Sequence, residues 1–358
     1  MSGPADRLRE RIAANGPVTF AEFMEESLYG DGGYYARQDL KIGKEGGDFV
    51  TGSSLSPLFG RSTARLLEKL DGVLGGQADY LEAGYGGGEH LRHLVDSLDG
   101  SDDRRLLAWD RVSRSIPAGV TSLGELEELP EKGLRGLIFS YELFDALPVH
   151  RLVGLEGGEF EELWVSLDGA GQFSYEQKGI SSPELAELVG STGVELEPGQ
   201  VADLSPHWRT LYRDLANRLD QGLIVTCDYG FEARTLLDPR IRKAGTVACY
   251  KQHRVHRNAL TNVGDQDLTA HVDFSALREE GERLGLETFA LTRQAHWLVA
   301  CGVFQGLGKS PQETRFEAMS LLDPAGMGEE IRVLVQGRGV APETLFEVAL
   351  TGLRPPIQ

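Results

Sequence analysis

Between Ala78 and Leu91 the chain reads A-D-Y-L-E-A-G-Y-G-G-G-E-H-L, an apolar run closed by Glu82 and followed by glycines at 84, 86, 87 and 88. Glycine adopts positive φ easily and lets backbone approach a bound group, so a strand, a ligand-cradling turn and a helix start are expected here. The dinucleotide fingerprint G-x-G-x-x-G needs glycine at position 89, where Glu89 stands. Glu82 would also repel a phosphate, whereas it suits a ligand carrying positive charge. The next apolar run, Leu106 to Trp109, closes in Asp110, an acid placed to accept both hydroxyls of a ribose. That device serves any nucleoside and does not choose among them. Gly136 to Ser140 leads into Y-E-L-F-D-A-L-P-V, which sets Glu142 and Asp145 just past a strand, and Leu223 to Cys227 closes in Asp228. Glu82, Asp110, Glu142 and Asp228 would then share the carboxyl edge of a parallel sheet, the edge at which open α/β sheets bind ligands.

The elements that must carry these residues can be read in chain order. Residues 5–14 form a first helix, and Thr19 with Glu22 makes a capping box for a second, whose Phe20, Phe23, Met24 and Leu28 recur on one face. A long glycine-rich stretch from Gly30 to Gly60 is expected to form a lid or wall over the ligand, and Ser56 and Pro57 open a helix through Leu70. A weaker strand near Val120 to Leu123 and an acidic helix ending at Pro130 follow Asp110. Short alternating runs from Val149 to Glu176, separated by glycine turns, predict antiparallel hairpins. A helix-poor connector with Pro183 and Pro198 comes next, then helices over Pro206 to Leu219 and Ser275 to Leu284. Thr288 to Thr292 and His296 to Val299 read as a closing antiparallel pair, and the tail from Gly308 as mostly amphipathic helix.

Composition narrows the function classes. With 55 acidic against 36 basic residues, the formal charge is −19, which disfavours nucleic acid, because phosphate binding draws its affinity from Lys and Arg. Cys227, Cys249 and Cys301 have no C-x-x-C spacing, so neither a disulfide framework nor a zinc site is signalled and a reducing cytosol is expected. No apolar run reaches the length of a membrane span or a signal core. His253 and His256, with His271 and Asp273 further on, raise metal binding as an alternative, but histidines three apart without a third ligand do not make a site, and no metal is expected.

Taken together, GDFVTxxxLSPLFG, ExGxGxG, YELFDALPV, DYG, GTxxxYxxH, DLTAHVDF and TRQxxWLxxxG occur in one order over residues 16–302. In this the chain resembles the MidA-type family of S-adenosylmethionine (SAM) methyltransferases, whose mitochondrial members assemble respiratory complex I and methylate a protein arginine. The resemblance implies an α/β fold of the class I SAM methyltransferase type: a Rossmann-like seven-stranded sheet with helical N- and C-terminal additions and a β-hairpin insertion. Residues 1–70 would hold the N-terminal helices and lid loop. Residues 71–302 would form the methyltransferase core with an insertion at about 149–205, and 303–358 a helical extension. It implies that Gly47, Asp48 and Thr51 wall the SAM site, that Glu82, Gly84 and Gly86 bind its methionine end, and that Asp110 binds its ribose. Glu142 and Asp145 would face the methyl group and the substrate, with Asp267, His271 and Asp273 as second candidates and His271 as proton acceptor. Partners expected are an arginine-containing protein and a second copy of the chain, with no nucleic acid and no membrane, in the cytoplasm. Ser53 and Ser54 stand where the family has Pro-Glu, Tyr141 where it has Asn, Tyr85 where it has a small residue and His93 where it has an acid. Two rival readings follow: a nicotinamide dehydrogenase, and a catalytically weak methyltransferase-fold assembly or binding factor.

Overall fold

Short apolar runs buried on both faces make the central strands, as in parallel sheets covered by helices on either side. The structure, a computed structural model, describes residues 2–37, 40, 52–98, 104–252, 254–305, 307–309 and 312–353. The chain forms two compact units, one from the described parts of Ile42–Leu143, Leu211–Tyr229 and Leu277–Gln358, the other from the described parts of Met1–Lys41, Phe144–Thr210 and Gly230–Ala276.

Among the described residues the first unit contains seven strands: β1 (Asp79–Ala83), β2 (Leu106–Trp109), β3 (Thr121–Leu123), β4 (Leu134–Tyr141), β5 (Leu219–Phe231), β6 (Glu287–Arg293) and β7 (Ile331–Arg338). Their spatial order is β3-β2-β1-β4-β5-β7-β6. The pairs from β3 to β5 are parallel, and β7 runs antiparallel to both β5 and β6. The order reverses between β1 and β4, which makes the topological switch point at which such sheets bind ligands. Helix Pro57–Leu74 covers this region. Ser56 caps it by accepting the Leu58 N–H at 3.3 Å, and Gly75 ends it in the left-handed conformation. Phe59 on this helix packs 5.4 Å from Trp297 and 5.1 Å from Tyr141, ring centre to ring centre. Gly60 leaves room for helix Glu89–Val95, since a Cβ there would lie 2.6 Å from that of His93.

One expectation fails here. His296 to Val299 is not a strand but part of helix Gln294–Ala300, because Gln294, Trp297 and Leu298 are buried at a helical i, i+3, i+4 spacing while Val299 is exposed. The tail is mostly helix, as read, but it also holds a strand: the partner of β6 is β7, where Ile331, Val333, Leu334 and Val335 are buried on both faces.

In the second unit, strand Phe160–Leu167 pairs along one side with Phe173–Lys178 and on the other with His150–Gly154 and Val18–Thr19; His150–Gly154 also pairs with Val201–Leu204. The first hairpin turns at Asp168, whose Oδ1 accepts the N–H groups of Ala170 and Gln172 at 2.8 and 2.9 Å. Helix Phe20–Tyr29 has the expected capping box, with Glu22 N–H donating to Thr19 Oγ1 at 3.1 Å and Thr19 N–H to Glu22 Oε2 at 2.9 Å. The connector read as helix-poor holds helix Pro183–Ser191, which Ser182 caps at the Leu185 N–H, and strand Val201–Leu204. The proline that argued against a helix occupies its first turn, where it fits. Ala248–Lys251 pairs with Arg254–His256 and with Asp267–Thr269 in a separate small sheet.

Candidate active site

The register of the parallel strands fixes where the acids lie. Ala83 stands opposite Trp109 and Ser140, and Ser140 opposite Thr226. Glu82 is therefore one residue before this line, Asp110 one beyond it, and Glu142 and Asp228 two beyond it. All four gather at the carboxyl edge of β1, β2, β4 and β5.

Glu82 is 4% exposed. Its Oε2 accepts from the Tyr80 hydroxyl at 2.9 Å and lies 2.9 Å from His90 Nδ1, while His90 Nε2 lies 3.2 Å from Thr63 Oγ1. The His90 ring stacks on Phe139 at 4.7 Å. Burial, then the Glu82 charge, hold the Tyr80 hydroxyl well above its usual range. An acid one strand position from a core face needs partners there, and Tyr80, two residues back on the same face, is the signal that alternation offered.

In the turn, Gly84, Gly86 and Gly88 take φ of 76°, 51° and 74°, a region side-chain-bearing residues resist. Gly86 N–H donates to Asp110 Oδ2 at 2.9 Å and Val112 N–H to Asp110 Oδ1 at 3.0 Å. Burial pushes the Asp110 carboxyl up, against the opposing pull of those two N–H groups. Asp110 thus ties the loop after β2 to the glycine turn. The space opened by Gly84 is taken by protein: a Cβ there would lie 2.8 Å from Leu143 Cδ1. Tyr85, the bulky residue in the turn, is buried, and its hydroxyl accepts from Arg114 N–H at 2.8 Å and donates to Arg114 O at 3.1 Å. It braces the turn.

Glu142 has φ of 49°, unusual for a residue with a side chain. Its N–H donates to Cys227 O at 2.9 Å, and the next N–H, that of Leu143, donates to Asp228 Oδ2 at 3.1 Å. Just before it, the Tyr141 hydroxyl donates to Gln294 Oε1 at 2.6 Å, and Gln294 Nε2 donates to Leu321 O at 3.0 Å. A Cβ on Gly52 would lie 2.1 Å from that hydroxyl, so only glycine fits at 52 beside Tyr141. Ser53 and Ser54 are buried in the same short helix, Gly52–Leu55. Burial, then the neighbouring His90 and Arg92, lower the pKa of His93.

Asp145 and His271 belong to the second unit, not to this sheet edge. The Asp145 carbonyl accepts Ala270 N–H at 2.9 Å. The Tyr35 hydroxyl donates to Asp267 Oδ1 at 2.7 Å, and burial, then the charges of Asp267 and Asp145, raise its pKa. His271 N–H donates to Thr246 Oγ1 at 3.2 Å. Burial, then Arg242 and Arg257, lower the His271 imidazole to about 4, which leaves it neutral and a weak base at neutral pH. Gly47, Asp48 and Thr51 lie outside the described residues, as does His253. Among the described residues no group of three or more His, Cys, Asp and Glu could hold a metal ion, and no helix is long and apolar enough to cross a membrane. The three cysteines are buried free thiols.

A sheet of order 3-2-1-4-5-7-6 with an antiparallel seventh strand, a glycine turn after the first and an acid after the second defines a class I SAM-dependent methyltransferase. A sequence profile of the family described as "Putative S-adenosyl-L-methionine-dependent methyltransferase" matches residues 90–292, and the chain belongs to this family. A crystal structure from Burkholderia thailandensis bound to S-adenosyl-homocysteine superposes with a TM-score of 0.86 at 28% identity, over 94% of this chain and 92% of that one. A native crystal structure from the same organism gives 0.81 at 26%, with the same two shares of 94% and 92%. The Drosophila melanogaster homologue named as the mitochondrial protein arginine methyltransferase NDUFAF7 is 28% identical over 97% of this chain and 88% of its own length. The human NDUFAF7 is 28% identical over 76% and 67%. SAM is the cofactor, and an acid before a positive-φ glycine turn with a second acid beside it fits a ligand that carries a sulfonium, an amino group and a ribose. The relatives are named as mitochondrial proteins, which overturns the cytoplasmic location expected above. Free cysteines speak for a reducing compartment without saying which one.

Proposed function

We propose that this chain transfers a methyl group from SAM to an arginine of a protein substrate. The observation that carries the reading is the placement of Glu142 at the carboxyl edge of β4, in a left-handed conformation and level with Asp228 on the neighbouring strand. The names of the relatives support arginine as the acceptor. SAM supplies an electrophilic methyl group. A guanidinium is a poor nucleophile while its charge is delocalised, and a carboxylate that grips it through paired N–H groups orients one nitrogen and draws charge away from it. Glu142 does this, and takes the proton that the nitrogen loses as its bond to the methyl carbon forms and the carbon–sulfur bond of SAM breaks, leaving S-adenosyl-homocysteine. Asp145 remains in the reading as a second carboxylate for the substrate. His271 stays the weaker candidate for proton acceptor, because burial, Arg242 and Arg257 lower its imidazole to about 4. Glu82, Gly84, Gly86 and Asp110 hold the cofactor, with Gly47, Asp48 and Thr51 assigned to its wall. The rival reading of a catalytically weak assembly or binding factor rested on Ser54, Tyr85 and Tyr141; the Tyr85 and Tyr141 hydroxyls engage protein groups at Arg114 and Gln294, which supports a fold that accommodates both tyrosines.

The test is methyl transfer from labelled SAM into proteins of a cell lysate, followed by acid hydrolysis and identification of the labelled amino acid. Label in methylarginine with the wild type, and at least hundredfold less with Glu142→Gln at unchanged SAM affinity, is the expected result. Equal labelling by the two proteins removes Glu142 from the chemistry, and label in another amino acid removes arginine.

A further inference from the structure

We infer that Asp228 is a positioning residue that fixes the direction of Glu142, an inference that rests on the role given to Glu142 above. A residue with a side chain keeps a positive φ only where its surroundings over-determine it, and three contacts do so here. The Glu142 N–H is held by Cys227 O at 2.9 Å. The Leu143 N–H is held by Asp228 Oδ2 at 3.1 Å. The Leu143 side chain lies in the space that Gly84 leaves by having no Cβ. Two of the three come from the end of β5, and Asp228 is the one that acts through a side chain.

The Asp228 carboxylate is built for this. It is 0% exposed, and its other oxygen, Oδ1, accepts the N–H of Tyr229 at 2.9 Å. One carboxylate therefore bridges the backbone of β5 to that of the turn after β4. In this φ region the Cα–Cβ bond points differently from that of a strand or helix residue, so losing the Leu143 contact turns the Glu142 carboxylate and not merely its backbone. Asparagine at 228 keeps an oxygen for the Leu143 N–H, whereas alanine offers none.

The experiment combines crystal structures with S-adenosyl-homocysteine and steady-state kinetics for Asp228→Asn, Asp228→Ala, Glu142→Gln and the double variant Glu142→Gln/Asp228→Ala. In Asp228→Ala, Glu142 is expected to leave the left-handed region, with kcat at least tenfold lower and KM for SAM within twofold of the wild type. Asp228→Asn should retain the left-handed φ and most of kcat. Adding Asp228→Ala to Glu142→Gln should cost less than a further twofold, because the side chain being aimed is already disabled. Glu142 staying near its present φ in Asp228→Ala overturns the inference, as does a loss of kcat that multiplies with that of Glu142→Gln. Should Asp228→Ala fail to fold, the Asn variant decides alone: a retained φ with a tenfold loss of kcat means that Asp228 acts in some other way. If Glu142→Gln remains active, the reading of Glu142 falls, while the φ of Glu142 in Asp228→Ala still judges the clamp.

Discussion

Buried carboxylates in the two units are held in opposite ways. In the second unit Asp203 faces a full positive charge: Arg151 Nε donates to its Oδ1 at 2.9 Å, and Thr246 N–H and Val247 N–H donate to its Oδ2 at 2.5 and 2.9 Å. Asp203 in turn holds the Arg151 guanidinium above its usual range in spite of burial. At the sheet edge of the first unit, Asp110 and Asp228 each accept two backbone N–H groups. An N–H dipole steadies an anion without cancelling its charge, whereas an arginine neutralises it. The Asp203 pair ties elements of the second unit together, whereas the edge acids are held by the backbone of the turns that follow their strands.

Substitutions can break this contrast. The largest effect is expected at the ion pair: Arg151→Ala leaves Asp203 buried without its cation and should cost about 3–5 kcal/mol of unfolding free energy, measured by urea titration, with the SAM dissociation constant unmoved. A large change in SAM affinity would mean that Asp203 is not mere scaffolding. His271 comes next. Its pKa of about 4 in the folded chain lies below the value of about 6.5 in an unfolded one, so the unfolded state binds the extra proton between these values. Stability from this group is present above pH 6.5 and is lost as the pH falls toward 4, by about 3 kcal/mol in all. The difference between wild type and His271→Gln in urea titrations from pH 7.5 to 4 should shrink by that amount; a constant difference would contradict the buried site. Asp110→Ala should weaken SAM binding at least tenfold, since charge-assisted hydrogen bonds are each worth about 1.5–3 kcal/mol; calorimetric titration with SAM decides, and an unchanged constant moves the ribose contact elsewhere. The smallest effect has the opposite sign. Glu142→Gly should stabilise the fold by about 1 kcal/mol, because glycine accepts the positive φ that glutamate resists, and a lower midpoint in thermal unfolding would show that the turn is not strained.

Much of this edge was legible from Glu82, Gly84, Gly86, Asp110 and Glu142, because acids that close apolar runs fall on one edge once the runs are parallel neighbours. Their partners were not legible. His90 reaches Glu82 only through the way helix Glu89–Val95 lies on the sheet, and the Leu143 to Asp228 hydrogen bond joins residues 85 positions apart. At Gly84 the missing Cβ gives room to Leu143, a neighbour the sequence could not name; a glycine announces a missing side chain but not who uses the gap. His296 to Val299 misled because a short apolar run has no period of its own, and the spacing of Gln294, Trp297 and Leu298 was the better guide.

The place of β7 bears on how the chain is made. This strand, Ile331–Arg338, lies between β5 and β6 and pairs with both. A ribosome releases β5 and β6 first, so for the time needed to make the intervening residues each of them has an open edge lined with unpaired N–H and C=O groups. The gap closes only when a segment more than a hundred residues distant from β5 arrives, a contact of high sequence separation that slows folding and leaves a partly built sheet prone to pairing with other chains. A premature stop before Ile331 would therefore yield insoluble protein and not a smaller folded enzyme.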